Sequence, residues 1–259
     1  MIKQSIQIPV RDKITLDGLI RLPEGKGPFP AVVFVHGLGV TMHEWNGSFD
    51  EIASRLNDAG ILTLQFQFDI FKPDGSEREL PLDVRAQQFT DAFYWLLTRP
   101  DVDTKRVGIL AQSFGVPTIL RTDVSPAKSI VFVSGAYIPD KTIRRVYEER
   151  GMVINRDGDT TLPRSSGERT TVGKEFWPSI ASFDPVKEVK QLTQPVLVVH
   201  GDQDTKVSTA EAQQVYAAIQ SKQKKLKIFK GGDHGITDVP RAMREEFLAL
   251  MMDWFKETL

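Results

Sequence analysis

The chain has 259 residues, and its 33 lysines and arginines nearly balance 34 aspartates and glutamates, for a formal charge of −1. That balance leaves no electrostatic footprint for nucleic acid or a membrane surface. With no cysteine there is no disulfide framework, no thiolate metal site and no cysteine nucleophile. A composition of 41% hydrophobic and 26% charged residues suits one large soluble domain that buries a sizeable core.

The elements follow from hydrophobic periodicity. The stretches 4–10 and 14–22 read as strands around an Arg11-Asp12-Lys13 turn, which predicts an antiparallel hairpin. The run Ala31-Val32-Val33-Phe34-Val35 within 30–37 is continuously apolar, as a strand buried on both faces of a parallel sheet requires. A helix over 49–59, closed by Gly60, precedes a strand over 61–68. An amphipathic helix spans 82–97, and a strand over 106–110 runs into Ser113. Buried strands follow at 129–134 and 195–199, then a helix at 209–220, a strand at 225–229 and a closing helix at 240–255. Two antiparallel strands followed by alternating strands and helices predict an α/β fold with a mainly parallel central sheet and helices on both faces. The segment 136–185 breaks this rhythm with a helix near 141–150 and a polar, turn-rich stretch over 155–169. It is longer than an ordinary crossover and reads as an inserted cap. The core is then 1–135 and 186–259. No run approaches the length of a membrane span and the N-terminus is not a signal peptide, so a cytoplasmic location is expected.

In open α/β sheets ligands bind beyond the carboxyl ends of the strands. Three such ends carry chemistry. The first is Ala111-Gln112-Ser113-Phe114-Gly115, a strand that turns into a helix over one serine with small residues two places on either side. This is the pattern of a nucleophile elbow, with alanine at a position usually taken by glycine. The second is His200-Gly201-Asp202-Gln203-Asp204-Thr205-Lys206-Val207, and the third is Gly231-Gly232-Asp233-His234-Gly235. A serine hydroxyl needs an adjacent base to act as a nucleophile. A histidine can take and return its proton, and a carboxylate fixes the histidine tautomer.

Among four histidines, His36 and His200 end buried strands and read as structural, while His43 reads as surface or pocket lining. His234, flanked by glycine in the loop after the last strand, is the base. Asp202 and Asp204 compete for the acid. Asp204 is favoured because it lies farther into the loop, with Asp202 bracing the turn. Asp233, adjacent to the base, is poorly placed to orient its ring. The oxyanion hole is expected from the backbone N–H groups of Phe114 and of Leu38, which lies between Gly37 and Gly39.

With these motifs in order, the sequence resembles the α/β-hydrolase family, specifically its bacterial serine esterases. It is most similar there to cinnamoyl/feruloyl esterases and to the catalytic domains of acylaminoacyl peptidases. The likeness rests on His36-Gly37-Leu38-Gly39, the Ser113 elbow, the His200–Val207 stretch and Asp233-His234-Gly235, and includes Phe183-Asp184-Pro185-Val186 after the cap. It departs at Ala111 and in the loop Gln67-Phe68-Asp69-Ile70-Phe71-Lys72-Pro73-Asp74-Gly75, which lacks the family's glycine-rich form. The resemblance implies hydrolysis of carboxylic esters through an acyl-enzyme, with no cofactor and no metal. A serine at the elbow excludes the aspartate-nucleophile branches, and the lack of cysteine excludes the dienelactone-hydrolase type.

Trp45, Phe71 and Trp177 are expected to line the substrate pocket, together with Leu38 and the ring of Phe114. Such a wall favours small uncharged esters of short to medium or aromatic acids. An amidase or peptidase acting on small acylated peptides is the rival reading, and a non-catalytic binding protein on a hydrolase scaffold ranks third. The closing helix, with Phe247, Leu248, Leu250, Met251, Met252, Trp254 and Phe255, leaves two readings open. One is burial within the monomer, which is favoured, and the other is a homo-oligomer such as a dimer.

Overall fold

The computed structural model describes residues 2–72, 76–163 and 169–259. Two stretches quoted above, Pro73-Asp74-Gly75 and Arg164-Ser165-Ser166-Gly167-Glu168, lie outside the described residues. The chain opens with the expected hairpin, β1 (Ile2–Pro9) and β2 (Thr15–Leu22), then β3 (Phe29–Val35), α1 (Ser48–Asp58) and β4 (Leu62–Phe66). Next come the two-residue β5 (Arg78–Glu79), α2 (Leu82–Leu97), β6 (Val102–Gln112), the short α3 (Gly115–Leu120) and β7 (Ser129–Val133). The excursion holds α4 (Pro139–Glu149), β8 (Thr160–Pro163), β9 (Arg169–Val172) and α5 (Phe176–Ala181). The core resumes with a helical turn α6 (Pro185–Glu188), β10 (Val196–Gly201), α7 (Thr209–Ala218), β11 (Lys224–Phe229) and α8 (Arg241–Thr258).

The eight-stranded sheet has the order β1-β2-β4-β3-β6-β7-β10-β11. From β4 to β11 neighbouring strands run parallel, while β1, β2 and β4 pair antiparallel. The period of two sends alternate residues to opposite faces. Ala31, Val33 and Val35 join one core cluster with Phe89 and Phe93 of α2. Val32 and Phe34 join the other with Phe49 of α1 and Phe255 of α8. The strand order turns outward on both sides of β3, with β4 on one side and β6 on the other. Such a switch point opens a crevice beyond the carboxyl ends of its strands. The Gly37–Gly39 loop and Ser113 leave the sheet there.

One expectation needs correction. The turn-rich stretch of the insertion holds a hairpin, β8 with β9, and β5 adds to β9 in parallel to make a three-stranded sheet. Strands of four residues lack the alternation that periodicity detects, and the third strand comes from a distant part of the chain. The helix after Ser113 runs over Gly115–Leu120, where its first turns are expected, and all six residues are buried. On α8, Phe247, Leu248, Met251, Trp254 and Phe255 are buried in the chain's own core, while Leu250 and Met252 are half-buried. The apolar density of this helix is therefore largely used within one molecule. Among the described residues no helix is long and apolar enough to cross a membrane.

Candidate active site

The strand β6 delivers Ser113 in a left-handed conformation, φ 52°. A non-glycine residue enters that region at a cost, so the surroundings must impose it. They do so through three backbone hydrogen bonds. Ser113 N–H donates to Val133 O at 3.0 Å, and Ser113 O accepts from Val116 N–H at 3.1 Å and Ala136 N–H at 3.0 Å. The helix then turns directly against β3: a Cβ added to Gly115 would lie 2.2 Å from Val35 O. Two residues before the serine, Ala111 is fully buried and keeps register with Val35 and Phe132. One methyl is accommodated where the usual pattern has none.

The acid and base come from loops that touch. A Cβ added to Gly201 would lie 2.1 Å from Gly232 O, and Gln203 N–H donates to Gly232 O at 2.9 Å. Asp202 accepts from Gly231 N–H at 2.6 Å and so ties the loop of Asp204 to the loop of His234. Asp204 presents Oδ1 to the N–H groups of Lys206 (2.8 Å) and Val207 (2.9 Å). Its Oδ2 accepts from His234 Nδ1–H at 2.8 Å. Burial works against the charge of this carboxyl, but the bond and charge of His234 and the Val207 N–H outweigh it, holding it below its ordinary range. Asp233 instead accepts from Thr237 and Asp238 N–H and closes the turn after the histidine. Gly235 N–H donates to Ser134 Oγ at 2.9 Å, and a Cβ on Gly235 would lie 3.0 Å from Gln112 Nε2. The base loop is thus seated beside the residue preceding Ser113.

The remaining histidines are used otherwise. His200 donates Nε2–H to Val207 O at 3.0 Å, 3.3 Å from Asp204 Oδ2, and burial lowers its pKa. His36 lies against Gly37 O through Nδ1 (2.9 Å) and accepts Phe68 N–H at Nε2 (3.4 Å). Burial and then the nearby Arg85 charge hold its pKa well below the ordinary histidine value. His43 pairs with Asp50 at 2.7 Å.

The loop after β3 is clamped by buried charge. Arg85 Nη2 donates to His36 O at 2.7 Å and Gly37 O at 3.3 Å. Its Nη1 pairs with Glu79 at 2.8 Å, both side chains being fully buried. The other Glu79 oxygen accepts Gly39 N–H at 2.8 Å, and Glu44 accepts Gly37 N–H. With both glycine N–H groups committed to carboxylates, the Leu38 N–H between them has no partner among the described residues, and neither has that of Phe114. Sequence reasoning passed over Glu44, Glu79, Arg85 and Gln112. For Arg85 a signal existed: it sits on the apolar stripe of α2, among Leu82, Ala86 and Phe89. Nothing local marks Glu44 or Glu79.

The expected pocket residues separate. Trp45 is 48% exposed and donates Nε1–H to Asp238 at 3.2 Å, on the base loop. Phe71 is 46% exposed, bridged to Glu77 at the edge of the undescribed 73–75. Leu38 is half-buried. Trp177 is buried edge-on against Tyr147 and Phe176, and the Phe114 ring lies 5.6 Å from that of Phe176 with Arg85 5.2 Å away. These two rings are core, not open wall: covering the nucleophile side of the sheet with α5 takes their apolar faces out of water. Among the described residues no cluster of histidine, aspartate and glutamate could hold a metal ion.

Residues 153–259 match the sequence model of the prolyl oligopeptidase family, described as Peptidase_S9. The chain is 28% identical to esterase EstD of Thermotoga maritima, over 83% of this chain and 57% of that protein. It is 23% identical to 2,6-dihydropseudooxynicotine hydrolase of Paenarthrobacter nicotinovorans, over 96% of this chain and 64% of the relative. It therefore spans about three fifths of the length of these curated relatives. Among solved structures, Est1E from Butyrivibrio proteoclasticus superposes with a TM-score of 0.78 at 19% identity, covering 98% of both chains. The chain has the α/β-hydrolase fold. Ser113, Asp204 and His234 follow β6, β10 and β11 in chain order.

Proposed function

We propose that this α/β hydrolase cleaves carboxylic esters through an acyl-enzyme. Ser113 attacks the ester carbonyl while His234 takes its proton, and the oxyanion is held by the N–H groups of Leu38 and Phe114. The alcohol leaves with that proton. His234 then activates a water that releases the acid, and Asp204 holds the imidazole tautomer throughout. The observation that carries this reading is the pairing of a left-handed Ser113 at a strand-to-helix elbow with an Asp204–His234 hydrogen bond of 2.8 Å. No cofactor enters it.

The likeness to esterase EstD and to Est1E, one structure of which holds ferulic acid, supports an ester of a short- to medium-chain or aromatic acid as substrate. Residues 136–185 serve as the cap in this reading, and Trp45 and Leu38 sit at the mouth of the site. The cytoplasmic location, and a monomer in preference to a dimer, belong to the same proposal. A second reading, cleavage of small acylated peptides, is favoured by the match of 153–259 to the prolyl oligopeptidase family.

A serine-directed fluorophosphonate tests the mechanism. Stoichiometric labelling that disappears in Ser113→Ala is expected, and a folded protein that takes no label overturns the reading. Rates on p-nitrophenyl esters of increasing chain length, hydroxycinnamate esters and acyl-peptide amides then separate the two substrate classes.

A further inference from the structure

Glu44 takes no part in the steps above, yet it stands at their centre. Its backbone has φ 58° and ψ −178°, a conformation that L-residues avoid unless the surroundings impose it. Its side chain is buried. One carboxylate oxygen accepts Gly37 N–H, and the other accepts Gln112 Nε2–H at 3.0 Å and Trp45 N–H at 3.4 Å. A Cβ added to Gly37 would lie 3.1 Å from Glu44 Oε1, 3.2 Å from Ser113 Cβ and 3.6 Å from Ser113 Oγ. Carboxylate and nucleophile therefore flank the same peptide. The turn bearing Glu44 is also docked on the base loop, where Asp238 accepts from Trp45 Nε1–H at 3.2 Å and Asn46 Nδ2–H at 2.9 Å.

Two oxygens accept from three donors here, which the single acceptor oxygen of an amide cannot do, so the turn requires a carboxylate and with it a buried charge beside the site. The charged groups that act on it are His234, Lys206 and Arg85. Asp204 accepts from His234 Nδ1–H at 2.8 Å, and His200 Nε2 lies 3.3 Å from the same Asp204 oxygen. Burial pushes the Glu44 carboxyl above its usual range, opposed by the Gly37 N–H and by His234.

Resting on the serine-hydrolase reading of this site, we infer that Glu44 is a positioning residue that orients the Gly37 peptide, and with it the Leu38 N–H, and whose charge stabilises the His234 imidazolium formed as Ser113 attacks. No proton passes to Glu44; the serine proton resides on His234 until it leaves with the alcohol.

The test is the pH dependence of fluorophosphonate labelling for wild type, Glu44→Gln and Glu44→Asp, each checked for folding by circular dichroism. Removing the neighbouring charge weakens the imidazolium, so the acid limb of the Glu44→Gln profile moves to lower pH by about one unit. The plateau rate falls about tenfold, the equivalent of that unit. Glu44→Asp retains the charge and keeps the acid limb at the wild-type position. An acid limb of Glu44→Gln that coincides with wild type, or one in Glu44→Asp displaced as far as in Glu44→Gln, overturns the inference while the enzyme still labels. Wild type that takes no label at all overturns the serine-hydrolase reading itself, which is a distinguishable result.

Discussion

The loop after β3 and the loop after β10 both reach the candidate site, but different forces hold them. The first is fixed largely by side chains from beyond it, Arg85 on two carbonyls and Glu79 on Gly39, with Glu44 of its own turn on Gly37. The second is fixed mainly by its own neighbourhood, with Asp204 accepting the N–H groups two and three residues ahead and Asp202 reaching the adjacent turn. An aspartate closing on its own backbone is a local preference that any chain can form early. A buried guanidinium–carboxylate pair is stable only once the sheet, α2 and the loop are assembled around it. The loop after β3 therefore depends on more distant partners, and it is tied to the 136–185 excursion, because Glu79 lies on β5, which pairs with β9.

Substitutions in each loop test this contrast. The largest effect is expected where both loops converge: Ser113→Ala or His234→Ala should lower kcat on the order of 10⁶-fold in steady-state ester hydrolysis. On the acid loop, Asp204→Asn should cost about 10⁴ in kcat, whereas Asp202→Asn should leave most activity, because it removes a brace and not the partner of His234. If Asp202→Asn proves the more damaging of the two, the division of labour drawn from their hydrogen bonds is wrong.

On the oxyanion loop, Arg85→Met strands Glu79 in the core and should destabilise the protein by about 3–5 kcal/mol in urea unfolding. The double variant Arg85→Met with Glu79→Leu should recover most of that stability but not the activity, since Gly39 and the two carbonyls lose their partners. Equal recovery of both would show that the clamp serves stability alone.

The smallest effect concerns protons. His36 and His200 are buried with folded-state pKa values below the ordinary histidine value, mainly because of burial. Below about pH 6.5 the unfolded chain then binds more protons than the folded one, so stability falls as pH drops, by at most about 1.4 kcal/mol per unit for each histidine. Above that value these two groups contribute no slope. Thermal melts between pH 5 and 7.5 check this, and a midpoint unchanged over that range would argue against neutral buried imidazoles.

Much of this molecule is written locally. Continuous apolar runs placed β3, β7 and β10, the 3.6 period placed α2 at its observed bounds, and small residues around Ser113 placed the elbow. Asp204 is preferred to Asp202 in the sequence only because it lies farther into the loop; the bonds that separate them, His234 to Asp204 and Gly231 to Asp202, join loops about thirty residues apart. The hairpin of the excursion was not readable, because strands of four residues carry little pattern and the strand that β9 joins, β5, lies about ninety residues earlier. Nor were Trp177 and the Phe114 ring readable as core, since an aromatic beside a nucleophile looks the same whether it faces substrate or a neighbouring helix.

The order of elements and the turn at Ser113 follow from neighbours a few residues apart and could be read from the chain. The meeting of charges at the Gly37–Gly39 loop could not. Glu79 and Arg85 are six residues apart, but they meet Gly37 and Gly39 only because β5 and α2 pack against the loop after β3. No local propensity specifies a buried charge; its stability depends on the partner that the fold delivers.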